Sequence, residues 1–261
     1  MNILENEEFS KYERRGAYHW EQISHSIRHH NSFVSARYDT VISMLEGLQG
    51  KKILDIGGGD GALSYLISLH GLQAFITDYS HLGLKLAKTE FSQRKLDAVA
   101  VTSSAYTLPF STGTFDAVVC SEVIEHLHYP IKMLEEANRV INSSGIFIIT
   151  TPLRFTEKPL DDTHVREFFQ SELLKMLNNC FSNVKIFQFA PLALFELLGI
   201  KLNILGGRPI FRYLFNTLTL YMGRNPFKCT KLFNHYCLLI GHGYKRLVST
   251  NNSNPLYSQK L

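Results

Sequence analysis

No acidic residue follows Glu196, although the 261-residue chain carries 23 of them. Nine of its 27 Lys and Arg lie beyond that point, so the first 196 residues carry a formal charge of −5 and the remainder +9. The two portions therefore face different partners. Basic residues keep a tail rich in Phe, Tyr and Leu soluble, and they also suit an anionic lipid surface, a phosphorylated substrate or, less well, nucleic acid. Cysteine is scarce as well. Cys120, Cys180, Cys229 and Cys237 include no C-x-x-C pair, which disfavours a disulfide scaffold and a zinc knuckle and leaves a reducing compartment as the expectation. No uninterrupted apolar run reaches the roughly 18 residues of a membrane span. Met1 to Phe9 is acidic and lacks the basic and apolar parts of an export signal. The expected location is cytoplasmic, with at most peripheral contact at a membrane surface. With 45% hydrophobic and 19% charged residues, the composition is that of a globular protein rather than a disordered one.

What is present is an alternation of short β-branched runs with amphipathic ones. Residues 10 to about 50 read as helical, with Gly50 as a stop. Strands are expected at 51–56, 75–78, 98–102, 115–121 and 146–150, and helices at 62–69, 82–91 and 131–141. A helix at 171–177, a strand at 184–189 and a late strand at 236–240 follow. Alternation of this kind implies an α/β fold with a parallel sheet covered on both faces and ligands at the carboxyl ends of its strands. The expected organisation is an N-terminal helical cap over 1–50, a ligand-binding domain over 51–248 and a flexible tail over 249–261. Within the domain, 191–227 forms a hydrophobic, basic helical insertion on the substrate side.

The sharpest local signal is Ile53-Leu54-Asp55-Ile56-Gly57-Gly58-Gly59-Asp60-Gly61-Ala62, a strand entering a glycine turn and then a helix. Glycines let backbone approach a ligand, and the helix N-terminus offers unpaired N–H groups. Gly57, Gly59 and Ala62 also satisfy the G-x-G-x-x-G/A pattern of dinucleotide folds, and Asp78 ends the second strand, where an acid can accept ribose hydroxyls. Asp55 separates the two readings: a carboxylate before the glycines repels a pyrophosphate and favours a ligand carrying an ammonium and a sulfonium.

On these residues the chain resembles the class I S-adenosylmethionine-dependent methyltransferases that modify small molecules. The resemblance spans about residues 37–190 and the late strand. It is carried further by Leu108-Pro109-Phe110, by Phe115 to His126, by Arg139-Val140-Ile141, and by Thr151-Pro152 followed by His164-Val165-Arg166-Glu167-Phe168. It implies a Rossmann-like, doubly wound, seven-stranded, mostly parallel sheet of order 3-2-1-4-5-7-6, with an N-terminal helical lid and a C-terminal helical insertion. It also implies S-adenosyl-L-methionine as cofactor. Gly57, Gly59 and Gly61 would pass close to its methionine part, Asp55 would help hold the amino group, Asp78 would accept the ribose hydroxyls and Tyr79 would lie against the adenine. Ser104, in Ser103-Ser104-Ala105, stands where the family often has an Asp for the adenine amino group, with Ala105 and Ser121 completing the cofactor set. Asn142-Ser143-Ser144-Gly145 replaces the usual Pro-Gly-Gly turn.

A sulfonium is already an activated donor, so the protein must align the nucleophile, the methyl carbon and the sulfur, and exclude water. A base matters only for a hydroxyl or a protonated amine, and His126, His164 and Glu122 are the catalytic candidates, with His128 and Glu125 nearby. Glu122, Glu125 and His126 fall at i, i+3 and i+4 and would share one face of a helix. With His164 they resemble the Mg²⁺-binding set of small-RNA 3′-terminal ribose methyltransferases, and Glu-x-x-Glu-His occurs also in quinone-biosynthesis O-methyltransferases. The alternative to a metal is that these side chains pair with backbone and with one another. Tyr12, Tyr18, His19 and Trp20 are expected in a lid over the cleft or, alternatively, in core packing. His25, His29 and His30 read as a solvated or hinge face.

The expected reaction is methyl transfer to an oxygen, or less well a nitrogen, of a small acceptor that is lipid-like, quinone-like, polyketide-like or a glycan. A Mg²⁺-dependent RNA ribose methyltransferase, an NAD-type oxidoreductase and a non-catalytic partner subunit are the rival readings.

Overall fold

The computed structural model describes residues 10–159, 161–200, 209–228 and 235–246. The tail expected over 249–261 and part of the insertion lie outside them. Three short helices come first, α1 (Ser10–Arg15), α2 (Tyr18–Gln22) and α3 (Ser32–Ser43). One helical run to Gly50 was expected; the structure breaks it at Gly16, whose φ of 58° is left-handed, and again at Asn31, whose side chain caps α3 by accepting from the Phe33 and Val34 N–H groups.

The alternation follows: β1 (Lys52–Ile56), α4 (Ala62–Leu69), β2 (Gln73–Asp78), α5 (His81–Gln93), β3 (Val99–Thr102), β4 (Phe115–Ser121), a 3₁₀ turn (Ile124–His126), α6 (Pro130–Val140) and β5 (Ile141–Pro152). Then come α7 (Gln170–Cys180), β6 (Phe181–Pro191), α8 (Leu192–Gly199), α9 (Ile210–Met222) and β7 (Tyr236–Lys245). The sheet order is β3-β2-β1-β4-β5-β7-β6. The pairs among β1 to β5 are parallel, whereas β7 runs antiparallel to both β5 and β6. This is the Rossmann-like, doubly wound sheet, with α8 and α9 falling between its last two strands.

Side-chain alternation along β1 divides the interior. Ile53 joins the apolar layer that holds Trp20, Ile67, Ile76 and Phe91, and Leu54 joins the opposite layer with Val118, Phe147 and Phe181. Residues 53–56 are all buried because helices cover both faces. Cys120, Cys180 and Cys237 are buried free thiols. Among the described residues no helix is long and apolar enough to cross a membrane.

Candidate active site

The glycine turn follows β1, between β2 and β4, with β5 beyond β4. Gly57, Gly59 and Gly61 have φ of 70°, 54° and 80°, a region that residues with a Cβ rarely adopt. Their surroundings separate them. A Cβ at Gly57 would strike Val123, and one at Gly61 would press on Ala87 and Phe91, so both are glycine for close packing. A Cβ at Gly59 would overlap the Tyr12 hydroxyl, on the cleft side and within 3.9 Å of Asp78 Oδ2. Gly59 is thus the glycine that faces Tyr12 and Asp78.

Asp78 is fixed by backbone. Gly59 N–H donates to its Oδ2 at 2.9 Å and Ser80 N–H to its Oδ1 at 2.7 Å. Burial raises its pKa, and these two donors pull it back down. Each oxygen keeps a lone pair for a further donor, as a ribose diol requires. Asp55 lies elsewhere: it is 2% exposed beneath the turn and accepts from Ser64 Oγ at 2.6 Å. Burial pushes its carboxyl up to about 7. It lies beneath the turn and ties it to α4 through Ser64. A half-protonated acid near neutrality also separates ammonium from pyrophosphate less sharply than the full charge assumed from sequence.

The N-terminal segment crosses this turn and is anchored to Asp60, whose role was not read from the sequence although it interrupts the run of glycines. The His19 backbone N–H donates to Asp60 Oδ2, and the His19 ring meets Oδ1, both at 3.1 Å. Trp20 Nε1–H donates to the Asp60 carbonyl at 2.6 Å. The Trp20 ring is 6% exposed and packs on Tyr65 at 4.8 Å beneath the Arg94 guanidinium at 4.2 Å. It anchors the segment to the core instead of lining the cleft. Tyr18 packs on the His19 ring at 3.9 Å, and its phenol is pushed up to about 12, chiefly by burial. Tyr12 covers the turn, its phenol raised by burial and by Asp78 and Asp60. Of the histidine trio expected on a solvated face, His30 is instead 3% exposed and bonded through Nδ1 to the Ser24 carbonyl.

The end of β4 is built differently. Glu122 has a left-handed φ of 57°, which turns it out of the 3₁₀ segment that follows, so Glu122, Glu125 and His126 do not share one helical face as the spacing suggested. Its carboxylate pairs with Arg37 Nη1 at 3.0 Å and accepts from Thr150 Oγ1 at 3.1 Å. Arg37 is buried in α3; burial opposes its charge, yet Glu122, Tyr38 and Glu125 together outweigh that and raise its pKa. An Arg inside the apolar pattern of Val34, Val41 and Ile42 was the overlooked signal.

Glu125, His126 and His164 do meet, with one donor atom from each within 4.8 Å of the others. Glu125 is fully buried; Thr151 Oγ1 donates to its Oε2 at 3.0 Å, while Oε1 has no hydrogen-bond partner. Burial, reinforced by Glu122 and opposed by His126, raises its pKa. His126 Nδ1 lies 3.0 Å from the Thr163 carbonyl and His164 Nδ1 lies 2.9 Å from Glu167 Oε1, the outer contacts that orient ligating imidazoles. Glu167, three residues after His164, was quoted in the motif without a role.

The remaining expected cofactor residues stand at or just after the ends of β2, β3 and β4. Tyr79 is 53% exposed at the end of β2, Ser104 Oγ accepts from the Tyr106 N–H at 3.2 Å beside Ala105, and Ser121 Oγ lies 2.9 Å from Thr150 Oγ1.

Residues 54–149 match the family model described as a methyltransferase domain. A ubiquinone biosynthesis O-methyltransferase of Haemophilus ducreyi is 24% identical over 160 residues, 58% of this chain and 66% of that protein. Another, of Psychrobacter arcticus, is 30% identical over 125 residues, 46% of this chain and 47% of that protein. The chain spans from 43% to 66% of the length of these and other curated relatives it matches. Phosphoethanolamine N-methyltransferase 2 of Haemonchus contortus, solved with phosphomonomethylethanolamine and S-adenosylhomocysteine, superposes with a TM-score of 0.64 at 17% identity. That superposition covers 92% of this chain and 60% of that one, and it shows the fold alone.

Proposed function

We propose, on the match of residues 54–149 to a methyltransferase domain, that the chain transfers the methyl group of S-adenosylmethionine to an oxygen of a small acceptor. The observation that carries this reading is the pairing of Gly59 with Asp78 at the glycine turn, inside the matched domain. Asp78 would receive the ribose hydroxyls, Tyr79 the adenine, and the turn the methionine part. The cofactor supplies an electrophilic methyl on sulfur when bound. This chain's residues bind it, orient the acceptor and cover the cleft with the segment around Tyr12. His126, in the 3₁₀ turn after β4, and His164, in the loop between β5 and α7, can take the proton of an acceptor hydroxyl through a ring nitrogen. Oxygen is favoured over nitrogen by the ubiquinone O-methyltransferase relatives and by this pair of imidazoles.

One test incubates the full chain with S-adenosylmethionine labelled in its methyl group and a panel of apolar phenols and alkylamines. Label in a methyl ether is expected. Label found only in amines, or in neither class, contradicts the proposal.

A second reading rests on the orphan Glu125 Oε1 beside two oriented imidazoles: a divalent ion held by Glu125, His126 and His164 would lower the pKa of the acceptor hydroxyl. With Glu122 committed to Arg37, one carboxylate and two imidazoles remain, a set better suited to Mn²⁺ or Zn²⁺ than to Mg²⁺. Calorimetry with Mn²⁺ on the chelated protein is expected to give one site that His164→Ala abolishes. Absence of binding, together with turnover unchanged by chelation, removes the metal.

A further inference from the structure

Helix α9 is amphipathic in the reverse sense from an ordinary surface helix. Its polar side is buried: Asn216 is 0% exposed and sits at the N-terminus of α3. Asn216 Oδ1 accepts from Ser32 N–H at 3.2 Å and from Ser32 Oγ at 2.7 Å, and its Nδ2 donates to the carbonyls of Ile27 at 2.8 Å and His30 at 2.7 Å. Thr219 Oγ1 adds a bond to Ser32 Oγ at 3.0 Å. The opposite side holds Leu214, Leu218, Tyr221 and Met222, at the i, i+4, i+7 and i+8 spacing of one stripe. Leu214, Tyr221 and Met222 are 47%, 69% and 58% exposed. Three side chain–backbone hydrogen bonds, one between the Ser32 and Asn216 side chains and a hydroxyl pair fix this orientation, so the apolar stripe is held outward and not merely left over.

The charge around the stripe selects an occupant. No acidic residue occurs after Glu196, and Arg212 and the exposed Arg224 belong to this helix and its end, while Lys228 pairs with Asp39 at 2.8 Å. A second copy of the chain would bring this cationic segment against itself, and a nucleic acid would leave Leu214 and Met222 in water. Thirteen residues are too few to span a bilayer, which takes about 20. They are enough to lie in its interface, with Tyr221 at the headgroup level. We propose that the Leu214–Leu218–Tyr221–Met222 stripe of α9 docks this protein on an anionic lipid bilayer.

Docking goes beyond the methyl-transfer reading and does not depend on it. It would place α3, and with it Arg37 at the site, one helix away from a reservoir of apolar acceptors. The test is co-sedimentation of the full chain with phosphatidylcholine vesicles made with and without phosphatidylglycerol, at low and high salt. The variant Leu214→Ser/Tyr221→Ser/Met222→Ser is compared with the parent, its fold checked by circular dichroism and its cofactor site by S-adenosylhomocysteine titration. The parent is expected to bind only the anionic vesicles, to be released by salt, and to bind about tenfold more tightly than the variant. The proposal is overturned if the parent stays in the supernatant, if the folded variant binds equally well, or if phosphatidylglycerol makes no difference. It is also overturned if the stripe instead supports a dimer or RNA binding that the variant loses. Normal S-adenosylhomocysteine binding in any of these cases leaves the methyl-transfer reading intact.

Discussion

The two sides of the cleft solve the problem of burying charge in opposite ways. On the β1–β2 side, Asp78 and Asp60 are held by donors from nearby backbone and from the N-terminal segment, and Asp55 by one hydroxyl. On the β4–β5 side, Glu122 needs an Arg from α3, and Glu125 keeps one oxygen without a hydrogen bond inside the protein. Backbone donors are rigid and cost no side-chain entropy, so the first side is a preformed receptor. The second side holds residual demand for a proton, an ion or an acceptor, which is where reactive chemistry is expected.

Substitutions can sharpen or break this contrast. The largest effect is expected from Asp78→Ala, which removes two charge-assisted bonds to backbone and the two oxygens proposed to accept the ribose hydroxyls. S-adenosylhomocysteine affinity should fall about 100-fold by calorimetry, and an unchanged affinity would show that the receptor is elsewhere. Arg37→Ala should cost about 2 kcal/mol in urea unfolding, less than a fully buried pair because Glu122 is partly solvated. Arg37→Ala combined with Glu122→Gln should recover part of that loss, and no recovery would mean that Arg37 acts through packing on Tyr38 and Phe33. Tyr12→Ala should speed release of S-adenosylhomocysteine about tenfold in stopped-flow displacement; an unaltered rate would deny the segment its covering role. The smallest effect concerns Asp55. Its folded-state pKa of about 7 lies above the unfolded value, so the folded chain binds the extra proton and loses stability as pH rises toward and through 7. From pH 6 to 7 that loss is about 1 kcal/mol, and Asp55→Asn should abolish it. A parent and variant with parallel stability profiles would contradict the assignment.

How far each side could be read in advance follows from the range of its contacts. The glycine turn, Asp78 and the strand positions are local or periodic, and the alternation of β-branched and amphipathic runs specifies them, whereas the strand order is what the family resemblance implies. The partnership of Arg37 with Glu122, and of Glu125 with Thr151, joins residues that are distant in sequence, and no spacing rule reports such pairs. Glu122 was placed on a helical face because i, i+3 and i+4 assume continuous helix; its left-handed φ breaks that premise. Asp55 was given full charge because burial cannot be read from a strand motif. For Trp20 the sequence leaves a lid and core packing open, and its indole takes the second, packing on α4 under Arg94.

The central claim is that the turn at Gly59 and Asp78 receives an adenosyl amino acid rather than a dinucleotide. Calorimetric titration of the full chain with S-adenosylhomocysteine and, separately, with NAD tests it most directly. Saturable heat from the first at micromolar concentration and none from the second is the predicted result; binding of NAD with no response to S-adenosylhomocysteine would contradict the account.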